Sequence, residues 1–269
     1  MPFSQTVGII GGSGQLGCAI ATAWLESRTV APEKLWISNR SGSASAFEAW
    51  PGIKVTASNQ KLAEACDVIF LSVPPAVLES ARISAPEKLI VSVMAGISIE
   101  RLQDLTGSGR VVRAMSSPAA RLRLAYSPWV AAPAVAEHDR ATVTTLLSAC
   151  GLTDEVHGED QIEIFTAITG PVPGFVALFA DCVVQYAVKR GIAPEVAVRA
   201  VKQLFLSSSR ILADGKEPPY AHVREMIDYA GTTAAGLVKL QEMDLADLIG
   251  EGLQASVERV RNIAGTKAS

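Results

Sequence analysis

The segment from Val7 to Gly17 constrains the fold of this chain more than any other. A short apolar run, 7–10, is followed by four glycines within seven residues and then by residues with helical periodicity. This order predicts a strand, a tight turn and a helix. The spacing Gly12-x-Gly14-x-x-Gly17 is that of a dinucleotide-binding fingerprint. In it the first glycine makes the turn, the second admits a pyrophosphate, and the third packs the helix on the strand.

The phosphates of a dinucleotide would lie at the N-terminus of this first helix, where free amides and the helix dipole favour an anion. The alternative is a glycine-rich hairpin turn, which the unbroken apolar helix after the glycines disfavours. We therefore predict a cofactor-binding turn formed by Gly12, Ser13, Gly14, Gln15, Leu16 and Gly17.

The composition of the chain favours an oligomer. Of its 269 residues 49% are hydrophobic and 19% charged, and the mean hydropathy is +0.27. Such a chain can form one large domain or two ordinary ones, with apolar surface left to bury between subunits. No apolar run reaches the roughly 18–20 residues of a membrane span, and residues 1–5 lack the features of a signal peptide. We therefore expect a cytoplasmic protein without a membrane partner.

Charge and cysteine spacing argue against two further classes of function. The net charge of −3, without a long basic cluster, disfavours nucleic acid as a main partner. The four cysteines show no CxxC spacing, and the three histidines form no ligand cluster. We expect buried, reduced thiols and no metal site.

The end of the second predicted strand, 34–38, bears on cofactor choice. In this fold the residues after that strand meet the adenosine ribose, and NAD-specific sites usually place an Asp or Glu there. Here the residues are Asn39, Arg40 and Ser41. Because an arginine accommodates a 2′-phosphate, the sequence favours NADP(H).

Further strands are predicted at 67–73, 88–94 and 110–115, with a helix at 58–66. In open α/β sheets ligands bind at the carboxyl ends of parallel strands. Two of these ends carry turn residues: Pro74 and Pro75 follow one strand, and Ala95 and Gly96 follow the next. A later strand at 127–133, a helix at 139–150 and a short strand at 155–157 complete the first half.

The second half of the chain is predicted to be helical. Helices are expected at 161–168, 174–190, 194–214, 222–227 and 232–263, so the predicted domains are 1–158 and 159–269. Residues 175–188 are apolar around most of the helix, which favours burial in a subunit interface.

Several motifs together resemble one known family, the pyrroline-5-carboxylate reductases, over nearly the whole chain. Beside the glycine fingerprint and Asn39-Arg40, the motifs are Val73-x-Pro75, Ser92-x-x-Ala95-Gly96-Ile97, Arg113-Ala114-Met115, Ala167-x-x-Gly170 and Ala230-Gly231-Thr232-Thr233.

The resemblance implies an α/β fold: an N-terminal Rossmann-type domain followed by an all-α dimerisation domain. It implies an NADPH-dependent reduction of a cyclic imine, 1-pyrroline-5-carboxylate, to proline, or of a related imino acid. Val73, Pro75 and Ala95 would line the nicotinamide side. Gly231, Thr232 and Thr233 would form a substrate loop. This loop would come from the partner subunit of a homodimer, and the dimers could assemble further.

The chemistry of the substrate loop supports these roles. A glycine turn that opens a helix presents free amides to a carboxylate, and a threonine hydroxyl can bond to a ring nitrogen. We predict Thr233 as the catalytic residue and the amides from Gly231 to Ala234 as the carboxylate site. The alternative for Gly-Thr-Thr is an ordinary helix cap.

The chain departs from the family at three places. Residues 170–175 lack the serine and tyrosine of the usual Gly-Ser-Gly-Pro-Ala-Tyr segment, and Met115-Ser116-Ser117 replaces Met-Pro-Asn. Asp228 and Tyr229 replace Ser-Pro. A carboxylate at 228 that points inward would repel an acidic substrate or pair with a cationic one, so Asp228 is included in the predicted substrate site.

Other functions remain open at this point. A two-domain dehydrogenase of the 6-phosphogluconate or hydroxyacid type needs a lysine within 170–179, which has none. A prephenate dehydrogenase-like enzyme needs a well-placed histidine. A deazaflavin-dependent NADP reductase shares the doubled glycine but leaves Gly-Thr-Thr unexplained. A non-catalytic NADP-binding sensor or scaffold would bind the cofactor without turning over a cyclic imine.

Overall fold

A computed structural model describes residues 4–43 and 45–265 of this chain. Its main sheet has seven strands in the order β3-β2-β1-β4-β5-β6-β8. All neighbouring strands are parallel except β8, which runs antiparallel to β6. The strands are β1 Val7–Ile10, β2 Leu35–Ser38, β3 Lys54–Thr56, β4 Val68–Leu71, β5 Leu89–Ser92, β6 Val111–Ala114 and β8 Trp129–Ala131.

Three helices lie between successive strands of this sheet, namely α1 Gln15–Glu26, α2 Asn59–Ala65 and α3 Ile99–Thr106, and α4 Glu137–Ser148 follows its last strand, β8. Strands β1, β4, β5 and β6 are buried at every position, which explains why their sequences are apolar apart from Ser92 and Arg113. Trp24 of α1 packs edge-to-face on Phe70 of β4, with ring centroids 4.8 Å apart. Its indole Nε1 donates to the carbonyl of Leu146 in α4 at 2.7 Å, so one residue joins both helices and the sheet.

The remaining helices are α5 Glu159–Ile168, α6 Gly174–Lys189, α7 Pro194–Asp214, α8 Pro219–Asp228, α9 Thr232–Glu242 and α10 Leu245–Gly265. The prediction of one helix over 232–263 is wrong, because the chain breaks between α9 and α10. Asp244 takes a left-handed backbone with φ of 53°, which aspartate tolerates better than most residues. The amide of Leu248 then bonds to the Asp244 carbonyl at 3.2 Å and starts the new helix.

One prediction for the strands of the first half needs correction. Residues 155–157 form no strand, and Glu155 makes only an isolated bridge to Trp129. Instead β9, Gly151–Leu152, pairs with β7, Ala125–Tyr126, in a separate two-stranded sheet. The sequence also left β3 and α3 unpredicted. Both are short, and α3 has too few buried positions to show a long periodic pattern.

The fold class predicted from the sequence is confirmed: a Rossmann-type domain precedes a helical region. Among the described residues, contacts within the chain group it into two compact units. One unit runs to Val172 and resumes at Ala255, so it includes the second half of α10; the other is Pro173–Gln254. The predicted domain boundary between 158 and 159 was placed where strands give way to helices, whereas the two units are defined by contacts within the chain. That boundary therefore stays a prediction.

Candidate dinucleotide and substrate sites

The glycine-rich turn lies at the carboxyl edge of the sheet, between β1 and α1. Gly11 has φ of +82°, and a Cβ added there would lie 2.4 Å from the Ser72 carbonyl oxygen that follows β4. Its amide donates to the carbonyl of Ser38, at the end of β2, at 2.9 Å. The turn is therefore held between the ends of the two neighbouring strands, and only glycine fits at this position.

The residue of this turn with a left-handed backbone is Gly11, one position before the first glycine of the fingerprint. Gly12, the predicted turn residue, lies within the same turn, which the Gly14 amide closes by bonding to the Gly11 carbonyl at 2.9 Å; a Cβ on Gly12 would lie 2.7 Å from Cδ1 of Ile37. Gly17 has the predicted packing role, because its Cβ would lie 2.7 Å from the Gly11 carbonyl oxygen.

The start of α1 fits a diphosphate. Gly14 is exposed, lies at the N-cap with an extended backbone, and offers no side-chain cap to the helix. The first turn carries no acidic residue, so no carboxylate competes for the amides of Gln15 and Leu16. An α-helix leaves these first amides without internal partners, and they favour an anion. Ser13, Gly14 and Gln15 are all open to solvent.

The residues after β2 form a polar loop beside the glycine turn. The amide nitrogen Nδ2 of Asn39 donates to Oγ of Ser13 at 2.7 Å and to the Ser43 carbonyl at 2.9 Å. The hydroxyl of Ser41 donates to Oδ1 of Asn39 at 3.1 Å. Asn39 thus ties this loop to the turn. Arg40 is exposed, and within 4–43 and 45–265 its guanidinium has no hydrogen-bond or ion-pair partner, so it is available to an anionic ligand.

The strands β4 and β5 end on the same edge of the sheet as β1 and β2. After β4, Val73 lies against the glycine turn: its Cγ1 is 2.8 Å from the position of a Cβ on Gly11. Pro74 then caps a 3₁₀ turn that begins at Pro75. After β5, Gly96 is buried with φ of +73°. The predicted cofactor residues therefore share one sheet edge, as parallel strands require.

The predicted substrate loop lies between α8 and α9. Ala230 has a left-handed backbone with φ of 54°, and Gly231 is the N-cap of α9. Ala234, the third helical residue, is buried, whereas Thr232 and Thr233 are exposed. A groove of about 460 Å³ runs beside this loop, and it is lined by Ile227, Ala230, Gly231, Ala234, Ala235, Val238, Lys239 and Glu242.

Asp228 lies on the surface at the end of α8. Its side chain is 72% exposed, and Oδ2 is 3.9 Å from Nε of Arg224, one turn earlier on the same helix. Tyr229 is 83% exposed. Neither residue lines the groove beside Gly231. In this unit the carboxylate is thus solvated and accompanied by a cation rather than turned into the groove.

The two buried cysteines, Cys66 and Cys150, are not activated as nucleophiles. Burial raises the pKa of the Cys66 and Cys150 thiols to about 12, so both are protonated at neutral pH. Cys18 is half-buried, and Cys182 is exposed on α6, so the prediction that all four are buried is wrong for Cys182. In the part of the chain that the structure describes, no three His, Cys, Asp or Glu side chains are placed to hold a metal ion.

The doubly wound sheet, its glycine turn and the helical second half define a class, the two-domain dinucleotide-binding proteins. Comparison with known proteins narrows this class. The family model described as pyrroline-5-carboxylate reductase dimerisation matches residues 159–263. The model described as NADP oxidoreductase, coenzyme F420-dependent, matches residues 6–96.

Individual relatives agree along the whole chain. A pyrroline-5-carboxylate reductase of Vibrio alginolyticus is 30% identical over 219 residues, 79% of this chain and 80% of the relative. That of Synechocystis is 26% identical and covers 97% of this chain and 99% of its own. The solved structure of the Plasmodium falciparum pyrroline carboxylate reductase with NADP bound has the same fold, with a TM-score of 0.80 at 24% identity; the match covers 98% of this chain and 100% of that one.

This chain belongs to the pyrroline-5-carboxylate reductase family. The resemblance seen in the sequence is thereby confirmed, including its prediction of a dimerisation domain. None of the described helices is long and apolar enough to cross a membrane.

Proposed function

We propose that this protein uses NADPH to reduce the C=N bond of 1-pyrroline-5-carboxylate, giving proline. The observation that carries the proposal is the match of residues 159–263 to the dimerisation region of this family. A glycine-rich turn at the N-terminus is common to many oxidoreductases, whereas this helical region is specific. Family membership makes the chain an NADP-dependent oxidoreductase that acts on a carbon–nitrogen double bond.

NADPH, when bound, supplies the hydride for the imine carbon, and the chain would hold the cofactor and the substrate in position for the transfer. We assign the diphosphate to the amides at the start of α1, from Ser13 to Gly17. Arg40, with Asn39 and Ser41 beside it, would meet the 2′-phosphate because its guanidinium is exposed and unpaired. The nicotinamide end would lie at the turns after β4 and β5, where the predicted contacts are Val73, Pro74, Pro75, Ala95 and Gly96.

The start of α9 is suited to bind the carboxylate of the substrate. Gly231 ends the preceding turn, and the amides of Thr232 and Thr233 at the start of α9 have no partner within the helix, whereas the Ala234 amide bonds to the Gly231 carbonyl at 3.1 Å. The exposed hydroxyl of Thr233 would orient the ring nitrogen of the imine. A cyclic imine can arrive already protonated, so the chain need not hold an acid there. Asp228, solvated and next to Arg224, would border the site without touching the carboxylate.

The helical region would also form the homodimer. The family model matched there is a dimerisation domain. On α6 no residue is buried in the protomer, and large apolar side chains such as Val176, Leu178 and Phe179 are 50–63% exposed. We infer that α6 and its neighbours pack against a second copy, and that the dimers can assemble further.

The proposal is tested by mixing the purified protein with 1-pyrroline-5-carboxylate and following NADPH absorbance, with NADH in parallel. We expect turnover that prefers NADPH. Thr233→Ala should lower kcat/KM by about 10- to 100-fold, because it removes one hydrogen bond to the reacting imine. Thr144→Ala, an exposed helical threonine of the first unit, is the matched control and should behave as the wild type.

Two results would count against these assignments. Unchanged kinetics in Thr233→Ala would remove that residue from the site. Binding of NADPH without turnover of any cyclic imine would support a cofactor-binding sensor, which the altered 170–175 segment and the Asp228-Tyr229 pair also favour.

A further inference from the structure

Glu159 makes two contacts that bear on the turn after β5. One of its oxygens, Oε2, accepts from the amide of Ile99 at 2.9 Å and from NH1 of Arg113 at 2.8 Å. Ile99 is the first residue of α3, and its amide has no partner within the helix. We propose that Glu159 is a positioning residue: it holds the turn 93–98 in the shape that receives the nicotinamide end of the cofactor.

The turn is held at both of its ends. At its inner end the amide of Val93 bonds to the Leu71 carbonyl at 3.1 Å, and that of Met94 bonds to Oγ of Ser92 at 3.2 Å. At its outer end Ser98 caps α3 by accepting from the amide of Arg101 at 3.2 Å. That cap leaves the Ile99 amide unsatisfied, and Glu159 supplies its acceptor.

The middle of the turn is held by the second half of α10. A Cβ added to Gly96 would lie 2.8 Å from the Val260 carbonyl oxygen and 3.1 Å from Cγ2 of Ile263. With φ of +73°, Gly96 has the backbone and the lack of side chain that this close approach requires. Ala95 and Gly96 thus lie between the Ile99 bond at the outer end and the bonds at the inner end, so the shape of the turn depends on both ends.

Glu159 is itself kept in place by its ion pair with Arg113. Arg113, on the buried strand β6, has a side chain only 3% exposed, which fixes its guanidinium. Besides Glu159 it faces Glu163, whose Oε1 is 4.0 Å from its NH2. Glu163 in turn accepts from Nε of Arg261 on α10 at 2.9 Å. Glu163 and Arg261 thus lie beyond Arg113, whereas the hydrogen bonds of Glu159 itself go to Ile99 and Arg113.

This inference rests on the proposed function in one respect, the placement of the nicotinamide end beside Ala95 and Gly96. The inference goes beyond the proposed function because it assigns a role to Glu159, a residue of α5 that would not touch the cofactor. Because hydride transfer is sensitive to small displacements of the ring, a carboxylate that sets this turn affects the nicotinamide end and leaves the adenosine end unchanged.

The test compares two ligands across three variants. NADP⁺ has both ends of the cofactor, whereas 2′,5′-ADP has only the adenosine end. We expect Glu159→Ala to weaken NADP⁺ binding about 10-fold and to lower kcat at least as much, with 2′,5′-ADP binding unchanged within about 2-fold. Glu159→Gln, which keeps an acceptor for Ile99, should restore most of the loss.

Glu163→Gln is the matched control. It removes one partner of Arg113 and the partner of Arg261 but leaves the Glu159 contact to Ile99 in place. It should bind both ligands as the wild type does. If Glu159→Ala does not fold, Glu159→Asp takes its place, since the side chain shortened by one methylene withdraws the acceptor from Ile99 while keeping the charge.

Equal weakening of NADP⁺ and 2′,5′-ADP, or the same losses in Glu163→Gln, would mean that Glu159 is merely structural and would overturn the inference. So would unchanged NADP⁺ binding in Glu159→Ala. The binding measurements need no turnover. If the wild type reduces no cyclic imine, the proposed function fails, while the comparison of the two ligands still decides the role of Glu159.

Discussion

At the scale of single residues, Arg40 carries the expected preference for NADPH. It is exposed at the end of β2, while its neighbours Asn39 and Ser41 bond to each other and to the glycine turn. A free guanidinium in a loop held this way can form charge-assisted hydrogen bonds to a phosphate without breaking any contact within the chain.

We predict that Arg40→Ala raises the KM for NADPH about 10- to 100-fold, since a charge-assisted hydrogen bond is worth about 1.5–3 kcal/mol. The KM for NADH, which lacks the 2′-phosphate, should stay unchanged, and so should kcat with either cofactor. Steady-state kinetics with both cofactors measure the effect. Arg121→Ala, an exposed arginine on another turn, is the control. Equal losses with NADPH and NADH would place Arg40 away from the 2′-phosphate.

At the scale of elements, the start of α4 is joined to the sheet by a buried ion pair. The side chain of Asp139 is fully buried, and its Oδ2 accepts from Nε of Arg110 at 2.9 Å and from the amide of Ala136 at 3.2 Å. Its other oxygen accepts from NH2 of Arg110. Burial by itself would raise the pKa of Asp139, but the bonds from Arg110 and the Ala136 amide outweigh it and lower the pKa below the ordinary value.

We predict that Asp139→Asn lowers the free energy of unfolding at pH 7 by about 2–4 kcal/mol, because it leaves a half-buried arginine unpaired. A lowered pKa in the folded state stabilises the fold above the ordinary value of 3.8 and loses this effect as pH falls through the folded pKa. The difference between wild type and variant should therefore shrink below about pH 4.

Urea unfolding at pH 7 and at about pH 3 measures this dependence. Asp104→Asn, an exposed position on α3, should have little effect at either pH. An Asp139→Asn difference that is the same at both pH values would contradict the assigned pKa shift.

At the scale of the whole molecule, the helical region exposes apolar side chains that a folded monomer would bury. Leu178 on α6 is 63% exposed and Leu206 on α7 is 57% exposed. Runs of this kind are typical of surfaces that bind another subunit. Since α6 has no buried residue in the protomer, the apolar sequence of the helix is explained by an interface and not by the protomer core.

We predict that Leu178→Glu shifts the protein from dimer to monomer, because a carboxylate buried in such an interface is unpaired. Sedimentation equilibrium measures the change. Leu122→Glu is the matched control: this leucine is 71% exposed, but it lies on a turn of the Rossmann-type unit and should leave the assembly intact. A Leu178→Glu variant that remains dimeric would place the interface elsewhere.

The sequence alone was sufficient for the parallel strands other than β3, for the glycine turn and for the helical second half. These features follow from local signals: apolar runs mark the buried strands, glycines and prolines mark their ends, and helical periodicity marks the rest. The family resemblance also followed from short motifs, and the comparisons confirmed it. The roles of Arg40, Thr233 and Asp228 remain predictions.

Only the tertiary structure decided features that depend on residues distant along the chain. Gly11 takes the left-handed backbone of the turn, where the Ser72 carbonyl after β4 closes against it. Glu159 bonds to Ile99, 60 positions earlier, which no local pattern can show. The break at Asp244 likewise has no strong sequence signal, since an aspartate can continue a helix or leave it at similar cost. Local propensity thus determined the elements, whereas contacts between distant residues determined which of them shape the site.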